Sequence, residues 1–302
     1  MDTEYITTTV ATAVTSPEMI ALGYLARYPE RTRKGYQIHL RQWFGWCSNN
    51  NINVLEAQRL HIEIFARDLS ENLELKPQTV ATKLNSICGL YRFAYLDGHL
   101  PVDPGAYVRR PKIPFQSSTE GLTRPEFADL LAAAEKESPT TNALVCLLGL
   151  NGLRIGECLA TDIEDLGQQR GYRTIHLPER KGGKVGTLSL AVRTSWAIEQ
   201  AIDKRNSGPI LLGLDGKRLS AGSSRRTLKR LTRKCGINKR IHPHSLRHTF
   251  ITMALDAGVS ERDIIDSTGH EDSRMLRYYD RNRGAIERNA THAVAAFVGA
   301  AG

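Results

Sequence analysis

Between His242 and Tyr279 the chain sets out side chains suited to attack on a phosphate. His244 and Arg247 lie three residues apart, which puts them on one face of any helix that spans them. Gly269-His270 follows, then Tyr278-Tyr279, with Tyr279 nine residues after His270. A phenol is a poor nucleophile near neutral pH, since its pKa is about 10 unless a base or nearby cations help it. A guanidinium supplies the matching electrophilic help. It is a planar, permanently charged fork that can meet charge growing on the non-bridging oxygens of phosphorus. Tyr278 and Tyr279 sit about 100° apart on a helix, so only one can face a given phosphate.

Two further stretches bring cations that could join this group. Gly152-Leu153-Arg154-Ile155-Gly156-Glu157 follows an apolar segment, Ala143 to Leu150, that reads as a central buried helix. Glu157 stands one turn after Arg154, placed to orient its guanidinium or balance local charge. Tyr172-Arg173-Thr174-Ile175-His176-Leu177 alternates as a strand does, and Leu188, Leu190 and Val192 read as a second strand. Lys181-Gly182-Gly183-Lys184 lies between them, and paired glycines there signal a hairpin, because tight primed turns need positive φ. Lys181 and Lys184 would flank its tip.

From Lys217 to Arg247 the chain holds eleven Lys or Arg and no acid. On a helical wheel Arg225, Arg226, Lys229, Arg230, Arg233 and Lys234 share one half, and Leu228, Leu231 and Cys235 share the other. A solvated charged face normally mixes signs to limit self-repulsion. A face that nothing neutralises is expected to lie against phosphates.

The elements that must position these groups can be read in order. Residues 1–15 are Thr- and Ala-rich and read as a loose tail. Ser16-Pro17-Glu18 starts a first helix, with a cap, a proline at the first position and an acid in the first turn. A second carries Tyr36, Leu40, Trp43, Phe44 and Cys47, and ends at Asn49-Asn50-Asn51. A third is expected from Glu56 to Glu71 around Leu60, Ile64 and Leu69. A fourth starts at Pro77, repeats Val80, Leu84, Ile87, Tyr91 and Ala94, and stops at Asp97-Gly98. Residues 16–100 therefore read as a small helical domain whose aromatic stripe is core.

Residues 101–120 hold Pro101, Pro104, Pro111 and Pro114 with Arg109, Arg110 and Lys112 among them, and read as a basic linker. Thr123-Arg124-Pro125-Glu126 is a capping box that opens a second domain, 121–302. Its first helix bears Phe127, Leu130 and Leu131, and Ser260-Glu261-Arg262-Asp263 caps a later one that ends near Gly269. Ile286 to Val298 has apolar residues enough for a final helix.

The chain as a whole narrows the partners. At 302 residues it can hold two domains, and its +9 charge favours a polyanion. Five cysteines without a Cys-x-x-Cys spacing fit reduced thiols in a cytosolic protein. Asp2 and Glu4 stand where a secretory leader would be basic, and the best apolar run is far short of the roughly 20 residues of a membrane helix. No carboxylate cluster suits Mg²⁺, and the His242-x-His244 pair has no convincing companions for zinc. No phosphate-cradling Gly-rich loop ending in Lys-Ser/Thr appears. Neither metal, cofactor nor ATP is expected.

In their order and spacing these motifs resemble the tyrosine recombinase (phage integrase) family over residues 16–290. The family's first box looks like Gly152 to Glu157, its second like Pro243-His244-Ser245-Leu246-Arg247-His248-Thr249-Phe250, and its third like Gly269-His270 with Tyr279. Its hairpin lysine looks like Lys181, with Lys184 the other candidate.

The resemblance implies a mainly α protein with a small β-sheet or hairpin. A helical, SAM-like core-binding domain would precede an α+β catalytic domain, the two closing on duplex DNA. It implies Tyr279 as nucleophile forming a 3′-phosphotyrosyl link, which conserves the phosphodiester energy. Arg154, Arg247 and His270 would stabilise the phosphate, Lys181 would act as general acid to the leaving 5′-oxygen, and His244 would assist proton transfer. Arg225, Arg226, Lys229, Arg230, Arg233, Lys184, Arg109 and Arg110 would contact DNA.

The implied partners are duplex DNA with inverted-repeat core sites, a dimer on each site and a tetramer in synapsis, with a directionality factor as a possible addition. The implied setting is the cytoplasm and nucleoid of a prokaryote or its phage. The last helix would dock in cis or on a neighbouring protomer. Integrases of the phage lambda type carry an arm-binding domain that a 15-residue tail cannot form, so a simpler integrase is expected. A dimer resolvase of the same family, a type IB topoisomerase and a non-catalytic DNA-binding regulator are the competing readings.

Overall fold

The computed structural model describes residues 16–113, 120–177 and 185–269, together with 291, 294, 295 and 298. His270, Tyr278, Tyr279, Lys181 and Lys184 lie outside the described residues. The chain divides into two compact units, 1–114 and 115–302.

The first unit is helical: α1 (Pro17–Ala26), α2 (Glu30–Asn49), α3 (Arg59–Glu71) and α4 (Pro77–Leu96). Ser16 caps α1 through its hydroxyl, which accepts the Met19 N–H at 3.2 Å. Two long amphipathic helices, α2 and α4, pack together at its centre. Trp43 of α2 is fully buried there, donating its indole N–H to Tyr91 Oη at 2.9 Å, while Tyr91 donates onward to the Val54 carbonyl at 2.8 Å. The α2 and α4 stripes expected from spacing are buried at Leu40, Trp43 and Cys47, and at Val80, Leu84, Ile87, Tyr91 and Ala94.

Helix α3 turns a different face inward. Leu60 and Ile64 are exposed, whereas Ile62, Phe65 and Leu69 are buried. Of the expected stripe only Leu69 is buried; Leu60 and Ile64 point outward, and the inward face runs through Ile62 and Phe65 instead. Phe65 decides the matter, because its ring packs edge-on against Trp43 with centroids 5.2 Å apart. The helix also starts at Arg59, after a short 3₁₀ turn at Val54–Glu56.

The stretch expected to be a linker is packed where it is described. Val108 joins the core of the first unit, and Gly105 lies against Cys88 with room for nothing larger than hydrogen. Arg109 and Arg110 remain exposed.

The second unit contains α5 (Arg124–Glu137), α6 (Pro139–Gly149), α7 (Ile155–Ala160), a three-stranded antiparallel sheet, α8 (Val192–Ile202), α9 (Ala221–Lys234), α10 (Pro243–Asp256) and α11 (Glu261–Thr268). Helix α6 is buried from Thr141 to Gly149 and packs against α5, α8 and α10, so it forms the central post. The sheet runs β1 (Leu166–Gln169), β2 (Tyr172–Leu177), β3 (Gly186–Ser189), with Leu166 opposite Ile175 and Ile175 opposite Leu188.

Two sequence expectations change here. Strand β1 was not anticipated. Val192 belongs to α8 rather than to a strand and is exposed, so β3 ends at Ser189. Among the described residues no helix is long and apolar enough to cross a membrane.

Candidate active site

Each described member of the predicted group is fixed by the end of a helix. Arg154 is the N-cap residue of α7, and Gly152 just before it adopts φ +63°. A side chain at 152 would run into the ring of Phe250, so the tight turn there requires glycine. Glu157 reaches back with one carboxylate oxygen to the Arg154 backbone N–H at 2.8 Å and with the other to the Arg154 guanidinium at 2.7 Å. This buried carboxylate therefore closes the turn and aims the guanidinium together.

Arg247 is in the first half of α10 and is only 1% exposed. Its fork donates to the Gly152 carbonyl and to the Thr268 carbonyl, each at 2.6 Å. Arg154 donates to the same Thr268 carbonyl at 3.3 Å and to the Gly269 carbonyl at 3.0 Å. Gly269 caps α11 in the left-handed region, φ +63°, returning its N–H to Ile265. The last turn of α11 thus presents backbone oxygens, at the negative end of its dipole, to two guanidinium groups. Arg154, Arg247 and the residue that precedes His270 are brought to one place.

His244 shares α10 with Arg247 and is exposed. Crowding around the ring, followed by the charges of Arg247, His242 and Arg154, holds its pKa below the usual histidine value. The ring is therefore neutral at physiological pH. Next to it, a cleft of ≈ 690 Å³ is lined by Ile155, Arg225, Lys229, Lys239, Arg240 and His242 among others. Apolar Ile155, Ile241 and Pro243 share its lining with the four cations.

The basic helix α9 buries Ser224, Leu228, Leu231 and Thr232 and exposes Arg225, Arg226, Lys229, Arg230, Arg233 and Lys234. The expectation that nothing neutralises this face needs correction. Glu137 of α5 pairs with Arg230 and, at 3.1 Å, with Lys234. Arg225 and Lys229 line the cleft instead. Lys239 and Arg240, which sequence reasoning passed over, join them, although Lys239 is engaged by Glu126 at 2.7 Å. Their signal was present in the acid-free run to which they belong. Among the described residues no group of His, Cys, Asp or Glu side chains is arranged to hold a metal ion.

The family model described as the phage integrase family matches residues 120–285, and the chain belongs to that family. It is 28% identical over 261 residues to a "Tyrosine recombinase" of Pseudothermotoga lettingae, covering 85% of this chain and 90% of that protein. It is 30% identical over 224 residues to "Tyrosine recombinase XerD" of Mycobacterium leprae, covering 68% and 70%. Among solved structures, the Tn1549 transposon integrase in complex with circular intermediate DNA shares the fold, with a TM-score of 0.69, 19% identity, and coverage of 86% and 94%. The protein is a tyrosine recombinase, an enzyme of site-specific DNA recombination.

If Glu157 aims Arg154, its loss should act through that guanidinium. Glu157→Ala is expected to slow DNA cleavage about 10- to 100-fold through misplacement of the fork. Glu157→Gln, which keeps an oxygen for the backbone N–H, should lose less. Single-turnover cleavage rates compare the two, and equal rates for Glu157→Ala and the parent would remove the residue from the site.

Proposed function

We propose that this chain is a simple integrase whose cleavage site is assembled from Arg154, Lys181, His244, Arg247, His270 and Tyr279, with Glu157 in support. The observation that carries this reading is the meeting of Arg154 and Arg247 at the Thr268 carbonyl, one residue before Gly269-His270. Arg154 keeps 26% of its side-chain surface open, enough to meet a phosphate while still anchored by Glu157. Tyr279 would attack the phosphorus and break its bond to the 5′-oxygen. The negative charge in the transition state would be met by Arg154, Arg247 and His270. His244, neutral, can accept the phenol proton, and Lys181 would protonate the leaving oxygen.

Arg225, Lys229 and the exposed cations of α9, with Lys184, Arg109 and Arg110, would follow the phosphate backbone, which sets position but reads no sequence. In this reading residues 16–100 bind core DNA, 101–120 connect, and 121–302 catalyse. The substrate is duplex DNA with inverted-repeat core sites, held by a dimer on each site and a tetramer in synapsis, in the nucleoid. Relatives named XerD fit a dimer resolvase equally well. The DNA flanking the gene separates the two roles, since attachment sites at the ends of a mobile element accompany an integrase.

The direct test is incubation with a nicked half-site oligonucleotide, which should give an SDS-resistant protein–DNA band. No band, with DNA binding retained, would reduce the chain to a binder. Plasmid assays that score exchange against relaxation separate a recombinase from a topoisomerase.

The general acid has its own test. Lys181→Ala should slow cleavage by about 10²–10⁴, the usual worth of a positioned proton donor, and Lys184→Ala by less than about tenfold. A substrate with sulfur in place of the 5′-bridging oxygen needs no proton to leave and should restore the Lys181→Ala rate. Rescue of Lys184→Ala instead would reassign the role.

A further inference from the structure

Helix α10, which carries His244 and Arg247, is capped by an imidazole. His242 Nδ1 accepts the Ser245 backbone N–H at 3.2 Å and lies 3.4 Å from Ser245 Oγ, while the His242 backbone N–H donates to Ser245 Oγ at 3.4 Å. The cap position ordinarily holds a hydroxyl, amide or carboxylate oxygen, which accepts at any neutral pH. An imidazole nitrogen accepts only while it is unprotonated. With Nδ1 committed to Ser245, the neutral ring must carry its proton on Nε2.

The ring also lies almost parallel to that of His244, centroids 6.3 Å apart and planes 13° apart. It lines the cationic cleft, so capping group and candidate catalytic histidine form one wall. We propose that His242 is a positioning residue for strand cleavage: as a neutral imidazole it holds the first turn of α10, and with it His244, and protonation at Nδ1 releases that turn. The inference rests on the reading of His244 and Arg247 as members of the cleavage site.

The surroundings fix the sign. Arg225 and Lys229 face the cleft from α9, Lys239 and Arg240 from the loop before α10, and His244 from α10 itself; Arg247, buried in α10, and Arg154, at the start of α7, act on His244 through their charge. Glu126, the nearby acid, is taken up by Lys239. Burial first, then Arg240 and Arg225, hold the His242 pKa below its ordinary value. The ring is therefore neutral at pH 7 and above. When pH falls below the ordinary histidine range it gains a proton, and Nδ1–H then opposes the Ser245 N–H, donor against donor. An oxygen cap would not fail in this way.

The test is single-turnover cleavage of a nicked suicide substrate between about pH 8 and pH 5, with the full chain, His242→Thr and His242→Ala. Threonine supplies a cap that does not titrate. Loss of the cap in His242→Ala should slow cleavage about tenfold at pH 8, and His242→Thr should recover most of it. The ratio of the His242→Thr rate to the parent rate should then rise several-fold towards pH 5. Parallel pH profiles for these two proteins would overturn the proposal, as would an undiminished rate for His242→Ala.

A second measurement does not depend on cleavage. Nitrogen-15 chemical shifts of the His242 ring, assigned by difference from His242→Thr, should show the Nε2–H tautomer at pH 8. The Nδ1–H tautomer would sink the idea. If the parent protein forms no adduct at any pH, the cleavage reading fails, and the tautomer measurement still decides the cap.

Discussion

Tyr279→Phe is expected to abolish covalent protein–DNA adducts, a loss of about 10⁴-fold or more, as for removal of other enzymatic nucleophiles. The substitution deletes one oxygen and keeps the ring, so it should neither unfold the second unit nor weaken DNA binding. Binding strength comes chiefly from phosphate contacts on cationic surface such as the exposed face of α9, which the change leaves untouched. Tyr278→Phe should cleave at nearly the parental rate, since only one of two adjacent tyrosines on a helix can face the phosphate. Gel shifts report binding, and SDS-resistant bands on a nicked suicide substrate report adducts. Adducts formed by Tyr279→Phe would transfer the nucleophile to another residue. Loss of binding in the same variant would give the hydroxyl a role in holding the DNA-binding surface instead.

The sequence was most legible where one face of a helix had a single apolar stripe. Trp43 and Cys47 on α2, and Val80 to Ala94 on α4, are buried as their spacing predicts. Helix α3 defeated the same logic because Leu60-Ile64 and Ile62-Phe65 both lead by helical spacing to Leu69. Contacts of Phe65 with Trp43 and Trp46, residues 22 and 19 away, select the second. Strand β1 reads Leu-Gly-Gln-Gln and has no alternation to detect; it exists through its pairing with β2. Val192 continued the rhythm of Leu188 and Leu190 by coincidence: it is the first residue of α8, and Ala191 before it is the still-extended N-cap.

At the site, residue types and spacing pointed to Arg154, Glu157, His244 and Arg247, but not to what holds them. Three of the anchors are main-chain carbonyls, at Gly152, Thr268 and Gly269, and a carbonyl has no letter in a sequence. A glycine just past a helical segment was the available hint at Gly269. The cap formed by His242 was similarly hidden, since its two histidine letters read first as possible metal ligands. Glu137 could not be foreseen as the counter-charge of Arg230 either, because 93 residues separate them and only tertiary packing joins them.

The second large effect is expected at Arg247, where scaffold and chemistry coincide. Its side chain is almost fully buried and bridges the Gly152 carbonyl, in the turn that leads to Arg154, to the Thr268 carbonyl, at the turn that leads to His270. Arg247→Ala should cost about 3–5 kcal/mol of stability: the Gly152 carbonyl is left unsatisfied at roughly 1–3 kcal/mol, the Thr268 carbonyl keeps only the longer bond from Arg154, and a large buried side chain leaves a void. A typical domain has only about 5–15 kcal/mol in hand, so much of the variant population would be poised to unfold. Arg247→Lys separates the two roles. An ammonium keeps the charge but lacks the planar fork needed to span both carbonyls and meet a phosphate. It should retain most of the helical signal in urea unfolding while cleaving about 10³-fold more slowly. Arg154→Ala should do less harm to the fold, because its side chain is 26% exposed and the Thr268 carbonyl keeps Arg247. An unchanged unfolding midpoint for Arg247→Ala would show that the two turns hold their positions without the bridge. The convergence of Arg154 with the start of the His270 segment would then need another cause.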